Sequence, residues 1–217
     1  MYDSFLAHFI PRVLSLRIAS QPGWTGDLGC LISPAHLERV RAHVDNAVSS
    51  GATVLAGGSA RPDIAPLAFE PTVLEGVTEG MTLCREETFG PVTSVYRVFD
   101  DEEAVRRAND TKYGLNAAIL TRDLRTGRRL ARRLKTGWVN INEVYAASGG
   151  STGAAMGGVG DSGLGHRHGP GGLLNYTEPQ TIATQRLLGF GPQLGLDAER
   201  WGQILARAVG TMGRLRI

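Results

Sequence analysis

The stretch "AAILTRDLRTGRRLARRLKTGWVNIN", residues 117–142, contains an apolar segment, a polar helical segment and a second apolar segment in succession. "AAILT" and "GWVNIN" are short and apolar, as buried strands are, and the segment between them is long enough for a helix. A helix between two strands carries the chain back over the sheet, so that the strands can pair in parallel. The stretch therefore predicts a strand–helix–strand unit of the α/β class.

The segments before this unit repeat the same alternation. The runs "TVLAGG", "FEPTVLEGV" and "PVTSVYRVF" predict three more strands. One helix is predicted to begin after Ser33, an N-cap residue that Pro34 follows. A second is predicted to begin after Asp100, with Glu103 three positions later completing a capping box. This alternation predicts a parallel α/β layer.

Composition narrows the classes of function. The 217 residues carry a formal net charge of +2 and contain no apolar run of membrane-spanning length, so we expect neither a nucleic-acid nor a membrane partner. Cys30 and Cys84 are too few for a disulfide framework, and the histidines form no ligand spacing with them, so no metal site is expected. With no signal-peptide pattern at the N-terminus, the cytoplasm is the expected compartment.

Six arginines lie close together in and around the helix of the opening stretch. Such a cluster suggests either a phosphate-binding patch or a solvated helix face. Leu130, Ala131 and Leu134 form an apolar stripe on the same helix, and the chain as a whole is nearly neutral, which favours the solvated face. The six are Arg122, Arg125, Arg128, Arg129, Arg132 and Arg133.

Glycine dominates residues 148–172, where it occupies 11 of 25 positions. This composition indicates a shaped loop with few side chains. Within it, "GVGDSG", residues 158–163, has the G-x-G-x-x-G spacing of a dinucleotide-binding loop. That fingerprint requires a strand before the glycines and a helix after them, and neither flank here predicts one. We therefore reject a Rossmann interpretation of this motif.

Four motifs occur in order along the chain: "EETFGPV", "ANDTKYGLNAAILTRD", "GWVNIN" and "MGGVGDSGLG". Together they resemble the C-terminal part of the NAD(P)-dependent aldehyde dehydrogenase superfamily, over a range from about Tyr2 to about Gln185. "LCREETFGP" and the ending with "YTE" are most similar to succinate-semialdehyde dehydrogenase-like members. Three residues depart from the usual pattern: Gly160 replaces a lysine, Ala155 a proline and His166 an arginine.

The resemblance implies a parallel-sheet catalytic domain that is truncated at its N-terminus and lacks the Rossmann cofactor domain. Residues 1–185 would form this partial catalytic domain, with an oligomerisation strand at about 173–185. Residues 186–217 would form a linker and a C-terminal helical tail. The expected assembly is a homo- or hetero-oligomer that forms through the late strand.

The resemblance also assigns two cofactor contacts. In the family, the second glutamate of the "EE-x-FGP" motif holds the nicotinamide-ribose hydroxyls, and the phenylalanine packs near the nicotinamide ring. Here these residues are Glu87 and Phe89, and the implied cofactor is NAD or NADP. A carboxylate suits vicinal hydroxyls because it accepts two hydrogen bonds. Turn capping by Glu87 and core packing by Phe89 are the alternatives.

Four residues resemble the substrate entrance of the family. Asn140 and Asn142 lie where its substrate funnel begins, and Ser148 and Ser151 lie in the segment that lines the aldehyde entrance. The serines could hydrogen-bond a carboxylate-bearing aldehyde, or they could be solvated loop residues. Cys84 matches no catalytic position, and its apolar neighbours predict a buried, unreactive thiol.

The family's catalytic residues have no counterpart in this sequence. Its chemistry uses a nucleophilic cysteine in a Gly-Gln-x-Cys motif and a glutamate base in a Glu-Leu-Gly-Gly motif. Neither motif occurs here, so no catalytic residue is assigned and both are expected upstream of Met1. In one hypothesis the chain is the C-terminal portion of an enzyme that oxidises succinate semialdehyde to the acid, and is inactive alone. In the other it is a non-catalytic subunit that associates with full-length relatives.

Overall fold

The computed structural model describes residues 1–21, 23, 26–146, 150–184, 186 and 191–215, the last four of these through their backbone only. Contacts divide the chain into two compact units, Met1–Asn175 and Tyr176–Ile217. All the strands that the structure describes belong to the first unit.

The larger sheet of the first unit has three strands in the order β1 (Thr53–Ala56), β2 (Thr72–Glu75) and β3 (Val92–Val95). β2 and β3 are parallel, as the alternation of elements predicted. β1 and β2 are antiparallel, so the prediction of a parallel layer is wrong at this edge. The connection between them, residues 57–71, is fully described and contains no helix. Without a crossover, the chain returns in the opposite direction.

Two helices contribute to the core of this sheet through neighbouring residues of β2. Helix α1 (Tyr2–Leu14) shares an apolar cluster with Val73, and α2 (Pro34–Ser49) shares another with Leu74. Successive side chains of a strand point to opposite faces of the sheet. The two clusters therefore lie on opposite faces of β2.

The predicted helix starts are confirmed by their caps. Ser33 Oγ accepts a hydrogen bond from the His36 amide at 3.2 Å, and α2 begins at the next residue, Pro34. Asp100 accepts from the Glu103 amide at 2.8 Å at the start of α4 (Asp101–Asn109). A short helix, α3 (Thr82–Arg85), lies between β2 and β3.

The strand–helix–strand unit of residues 117–142 forms as predicted. β5 (Asn116–Ile119) and β6 (Trp138–Ile141) pair in parallel, with α5 (Leu124–Ala131) between them in the chain. The pair forms a two-stranded sheet of its own. The sequence predicted this unit because all three elements are local, whereas their separation from the larger sheet is not a local property.

The arginines of this unit bind carboxylates of α4. Arg129 Nη2 lies 2.8 Å from Asp101 Oδ2, and Arg133, just after α5, pairs with Glu102. Both acids lie in the first turn of α4, where a negative charge also interacts favourably with the helix dipole. These are exposed ion pairs, in agreement with the solvated-face interpretation.

The glycine-rich segment folds into very short strands. β7 (Met156–Gly157) pairs with β9 (His166–Arg167), and β8 (Val159–Gly160) pairs with β4 (Tyr113–Gly114), both antiparallel. The "GVGDSG" motif contains β8 and a turn at residues 161 and 162, and the next element is β9. The helix that a dinucleotide-binding loop requires after its glycines does not follow this motif.

The end of the first unit differs from the predicted strand at 173–185. Helix α6 (Gly169–Leu174) includes the first two of these residues, and residues 177–184 belong to no helix or strand. Gln185 lies outside the described residues, and the role of this segment in assembly stays a prediction. The division between the units falls after Asn175, earlier than the predicted boundary.

The second unit contains helix α7 (Ala198–Leu215), within the range of the predicted helical tail. Trp201 is its buried residue at 2% exposure among the side chains described. Within the described part of the chain, no helix is both long and apolar enough to cross a membrane.

A close backbone contact at Gly137 gives a test of the fold. A Cβ atom there would lie 1.6 Å from the carbonyl oxygen of Gly157, and neither backbone can move without displacing β6 or β7. We predict that Gly137→Ala lowers the free energy of unfolding by about 2 kcal/mol or more, measured by urea denaturation. Gly80→Ala is the control, because its Cβ would meet nothing within 4 Å. Equal losses in the two variants would contradict the close contact.

Candidate functional site

A cleft of about 740 Å³ opens in the first unit. One wall consists of α3 and the turn that follows it, residues 86–90, named here the EETFG turn. The other wall includes β4, the start of β5 and the turn after β8. Since both walls come from the motifs that occur in order along the chain, this cleft is the candidate site.

Glu87 lines the cleft with an exposed side chain. Its carboxylate makes no hydrogen bond or ion pair with any residue that the structure describes. By contrast, the carboxylate of Glu86 lies 3.9 Å from the buried ring of His43. A carboxylate without a protein partner keeps both oxygens available to a ligand. The structure therefore gives no support to turn capping by Glu87.

Phe89 lines the same cleft in an unusual backbone conformation. Its φ is +54°, in the left-handed region, which costs on the order of 1–3 kcal/mol for a non-glycine residue. Its side chain is 70% exposed, so the core-packing alternative is wrong. Strained residues of this kind persist only where their surroundings hold them, and they concentrate at functional sites.

Cys84 also lines the cleft, and it is half-buried where the sequence predicted full burial. The next residue, Arg85, forms ion pairs with Glu79 at 3.1 Å and with Asp110 at 3.2 Å. The hydrogen bond to Asp110 is the main reason that the pKa of Arg85 is raised. The positive charge of Arg85, the residue next to the Cys84 thiol, is therefore paired with two carboxylates. Burial and the neighbouring Cys84 raise the pKa of Tyr96.

The opposite wall contains residues that the sequence did not identify. The Gly114 amide donates to Ser162 Oγ at 3.0 Å, and Ser162 and Asp161 both line the cleft. Lys112 Nζ lies 3.3 Å from Asp161 Oδ2, and this contact raises the pKa of Lys112. These residues occur in two of the ordered motifs, and this was the sequence signal by which they could have been identified. Their meeting depends on the pairing of β4 with β8, which no local pattern predicts.

Asn140 is buried at 3% exposure, and its predicted entrance role stays a prediction. Its Nδ2 donates to Asn116 Oδ1 at 3.0 Å and to the Val144 carbonyl at 2.9 Å. Asn116 Nδ2 donates to the same carbonyl at 3.0 Å, so two side-chain amides hold the segment after β6 in place. Within that segment, backbone N–H groups that donate to Glu143 hold the pKa of its carboxyl below the usual value.

Asn142 and Ser151, two other predicted entrance residues, do not line the cleft of Glu87 and Phe89. Asn142, at φ +60°, lines a separate groove of about 1120 Å³, where its Oδ1 accepts from the Thr121 amide at 2.8 Å. Ser151 is half-buried and does not line the cleft, and Ser148 lies outside the described residues. An entrance role for these residues stays a prediction.

Residues 1–182 match the family model described as the aldehyde dehydrogenase family. The chain belongs to the aldehyde dehydrogenase family. The four ordered motifs therefore predicted the family correctly, and the cleft can be compared with what this family binds.

Two mycobacterial relatives share nearly the whole chain. A Mycobacterium ulcerans protein, provisionally named succinate-semialdehyde dehydrogenase (NADP(+)) 2, is 48% identical over 213 residues, which are 98% of this chain and 41% of that protein. A Mycolicibacterium smegmatis protein with a similar provisional name is 46% identical over 213 residues, with the same coverage of both chains. This aldehyde dehydrogenase chain thus spans about two-fifths of the length of the curated relatives it matches.

Solved structures show the same architecture. The succinate-semialdehyde dehydrogenase from Burkholderia pseudomallei matches with a TM-score of 0.70 and 36% identity, over 81% of this chain and 36% of that one. The betaine aldehyde dehydrogenase from Staphylococcus aureus in complex with NAD+ matches with a TM-score of 0.73 and 32% identity, over 85% and 39%. The chain therefore has the fold of part of an aldehyde dehydrogenase.

The cleft fits the nicotinamide-ribose part of such a cofactor. Its Glu87 carboxylate has no partner among the described residues, and it is exposed in the same cleft as the Phe89 ring. A ribose donates hydrogen bonds through adjacent hydroxyls, which one carboxylate can accept. The hydrogen-bond acceptor and the aromatic surface that the ligand requires are thus both present.

The two thiols of the chain should differ in reactivity. Cys30 is exposed and Cys84 is half-buried in the cleft. We predict that iodoacetamide alkylates Cys30 several-fold faster, because the exposed thiol is the more accessible of the two. Peptide mass spectrometry of the chain, and of its Cys30→Ser and Cys84→Ser variants, measures both rates. Faster alkylation of Cys84 would contradict this and indicate an activated thiol.

Proposed function

We propose that this chain supplies the nicotinamide-ribose contacts of an aldehyde dehydrogenase that oxidises an aldehyde to a carboxylic acid with NAD(P)+. Glu87 accepts hydrogen bonds from the ribose hydroxyls, and Phe89 packs beside the nicotinamide ring. The supporting observation is the Glu87 carboxylate, which is exposed and without a partner among the described residues, in the same cleft as the exposed Phe89 ring. The cofactor, when bound, accepts the hydride.

Succinate semialdehyde is the aldehyde that we propose. The names of the two mycobacterial relatives and of the Burkholderia pseudomallei structure support it. The chain spans 41% of those relatives, and its four ordered motifs resemble the C-terminal part of the family, so we further propose that it corresponds to the C-terminal portion of the complete enzyme. The curated relatives are named with NADP(+) and a solved relative contains NAD+, so both nucleotides belong in the tests.

The role of Glu87 can be tested by protection of Cys84, which lines the same cleft. In a Cys30→Ser chain, we predict that millimolar NAD+, NADP+ or nicotinamide mononucleotide slows alkylation of Cys84 by covering the thiol. Glu87→Gln keeps the shape of the side chain but removes its charge, and hydrogen bonds to charged groups are the stronger ones. The nucleotide concentration that gives half-protection should therefore rise about tenfold or more.

Glu38→Gln is the matched control for this experiment. Glu38 is an exposed carboxylate of α2 that does not line the cleft, so its removal should leave protection unchanged. Equal protection in the Glu87→Gln and parent chains would show that Glu87 does not hold the nucleotide. Absence of protection in the parent chain would overturn the proposed cofactor contact.

We also predict that this polypeptide alone does not oxidise aldehydes. The sequence contains neither the Gly-Gln-x-Cys nor the Glu-Leu-Gly-Gly motif, and without a nucleophile no acyl-enzyme can form. Orientation in the cleft cannot replace a covalent step. The measurement is NAD(P)H formation from succinate semialdehyde by the purified chain, for which we expect no signal above that of a mock purification.

The Cys84→Ser and Cys30→Ser variants serve as controls for that measurement. Activity that is equal in both variants would trace to a contaminating host enzyme. Activity that survives purification and disappears only with Cys84→Ser would contradict the prediction and make residues 83–92 a catalytic site.

A further inference from the structure

One face of helix α2 contacts three successive residues of the EETFG turn. His36, Val40 and His43 are spaced by four and three positions, so they lie on the same face of the helix. Their partners are Phe89, Gly90 and Thr88 in that order, as the following contacts show. The turn that carries Glu87 is therefore supported along its length by a single helix.

His36 holds the strained residue of the turn. Its Nε2 lies 2.8 Å from the Phe89 carbonyl oxygen, and because a carbonyl only accepts, the proton is on Nε2. The Nδ1 atom of the same ring is buried and has no partner among the described residues. A buried N–H without an acceptor would be costly, which favours the neutral ring with its proton on Nε2. The hydrogen bond fixes the peptide that follows the left-handed Phe89.

His43 holds the residue before it. Its Nδ1 lies 3.0 Å from Thr88 Oγ1, and both side chains are buried, at 5% and 9% exposure. Its Nε2 faces the Glu86 carboxylate at 3.9 Å, so a proton on Nε2 is favoured and the Thr88 hydroxyl donates to Nδ1. This contact orients the turn on the other side of Phe89.

Val40 sets the distance between the helix and the turn. A Cβ atom at Gly90 would lie 2.7 Å from Val40 Cγ2, so only glycine allows this approach without displacement. Val40 itself is fully buried. The turn thus packs against Val40 at its last residue, Gly90, and the two residues before Gly90 each contact an imidazole of the same helix.

We infer that His36 and His43 are positioning residues, which hold the EETFG turn in the conformation that presents Glu87 and Phe89 to a nicotinamide ribose. Neither ring lines the cleft, so both act through the turn. His36 fixes the left-handed conformation at Phe89, and His43 fixes Thr88, which follows Glu87 directly. The ligand part of this inference rests on the proposed function, whereas the effect on the turn does not.

The experiment uses the Cys30→Ser chain and its His36→Ala, His36→Gln, His43→Ala and His43→Asn variants. A glutamine amide can place a donor near the position of His36 Nε2, and the amide oxygen of asparagine can place an acceptor near that of His43 Nδ1, so they serve as rescue variants. His8→Ala is the control, because the described contact of this exposed ring is with the Ser4 carbonyl of its own helix. Two quantities are measured: the backbone amide spectrum of residues 87–90 without ligand, and protection of Cys84 by nicotinamide mononucleotide.

We expect His36→Ala to shift the amide signals of the turn while those of β1 and β2 stay in place. Loss of one hydrogen bond should weaken protection about threefold to tenfold, and His36→Gln should recover much of it. His43→Ala should act in the same direction. If that buried substitution prevents folding, His43→Asn and the His36 variants give the result. A long-range proton–nitrogen spectrum of the parent chain should show His36 protonated at Nε2 alone.

Different failures of this experiment have different meanings. If the parent chain is protected and the alanine variants match it in both measurements, the positioning role is overturned and the proposed function stands. Shifted turn signals with unchanged protection would also overturn positioning. If the parent chain is not protected at all, the proposed function fails, and the ligand part of the inference fails with it.

Discussion

Strand β2 is the element on which the rest of the first unit depends. It pairs with β1 on one side and with β3 on the other, and Thr72, Val73 and Leu74 are at most 2% exposed. Because Val73 and Leu74 point to opposite faces, each joins a different apolar cluster, one with α1 and one with α2. A single buried strand thereby fixes the helices on both sides of the sheet.

The same strand determines where the candidate site lies. The Thr72 amide donates to the Pro91 carbonyl at 2.7 Å, which anchors the chain immediately after the EETFG turn and before β3 begins. The opposite side of the turn rests on α2, which shares its core cluster with Leu74. The turn is thus held between strand β2 and helix α2. Such a support allows Phe89 to keep a left-handed conformation that a free loop would relax.

Glycine residues allow the close pairing of β4 and β8 in the second wall of the cleft. A Cβ atom at Gly114 would lie 2.6 Å from both the Val159 side chain and the Lys135 carbonyl, so β4 and β8 can pair only around a bare backbone. Gly160 has φ +61°, and a Cβ there would lie 2.4 Å from the Lys112 carbonyl. Within the G-x-G-x-x-G spacing, Gly160 is therefore required by close packing of the backbone.

The sequence by itself determined the elements whose causes are local. Capping by Ser33 and Asp100, and the strand–helix–strand pattern of residues 117–142, depend on neighbouring residues and appear where they were predicted. The ordered motifs likewise determined the family, because their residue types and order are properties of the chain itself. Only the tertiary structure decided that β1 is antiparallel, that Asn140 is buried and that Cys84 lines the cleft. These features depend on contacts between segments far apart in the chain, and a local pattern contains no information about which distant backbone will supply the partner.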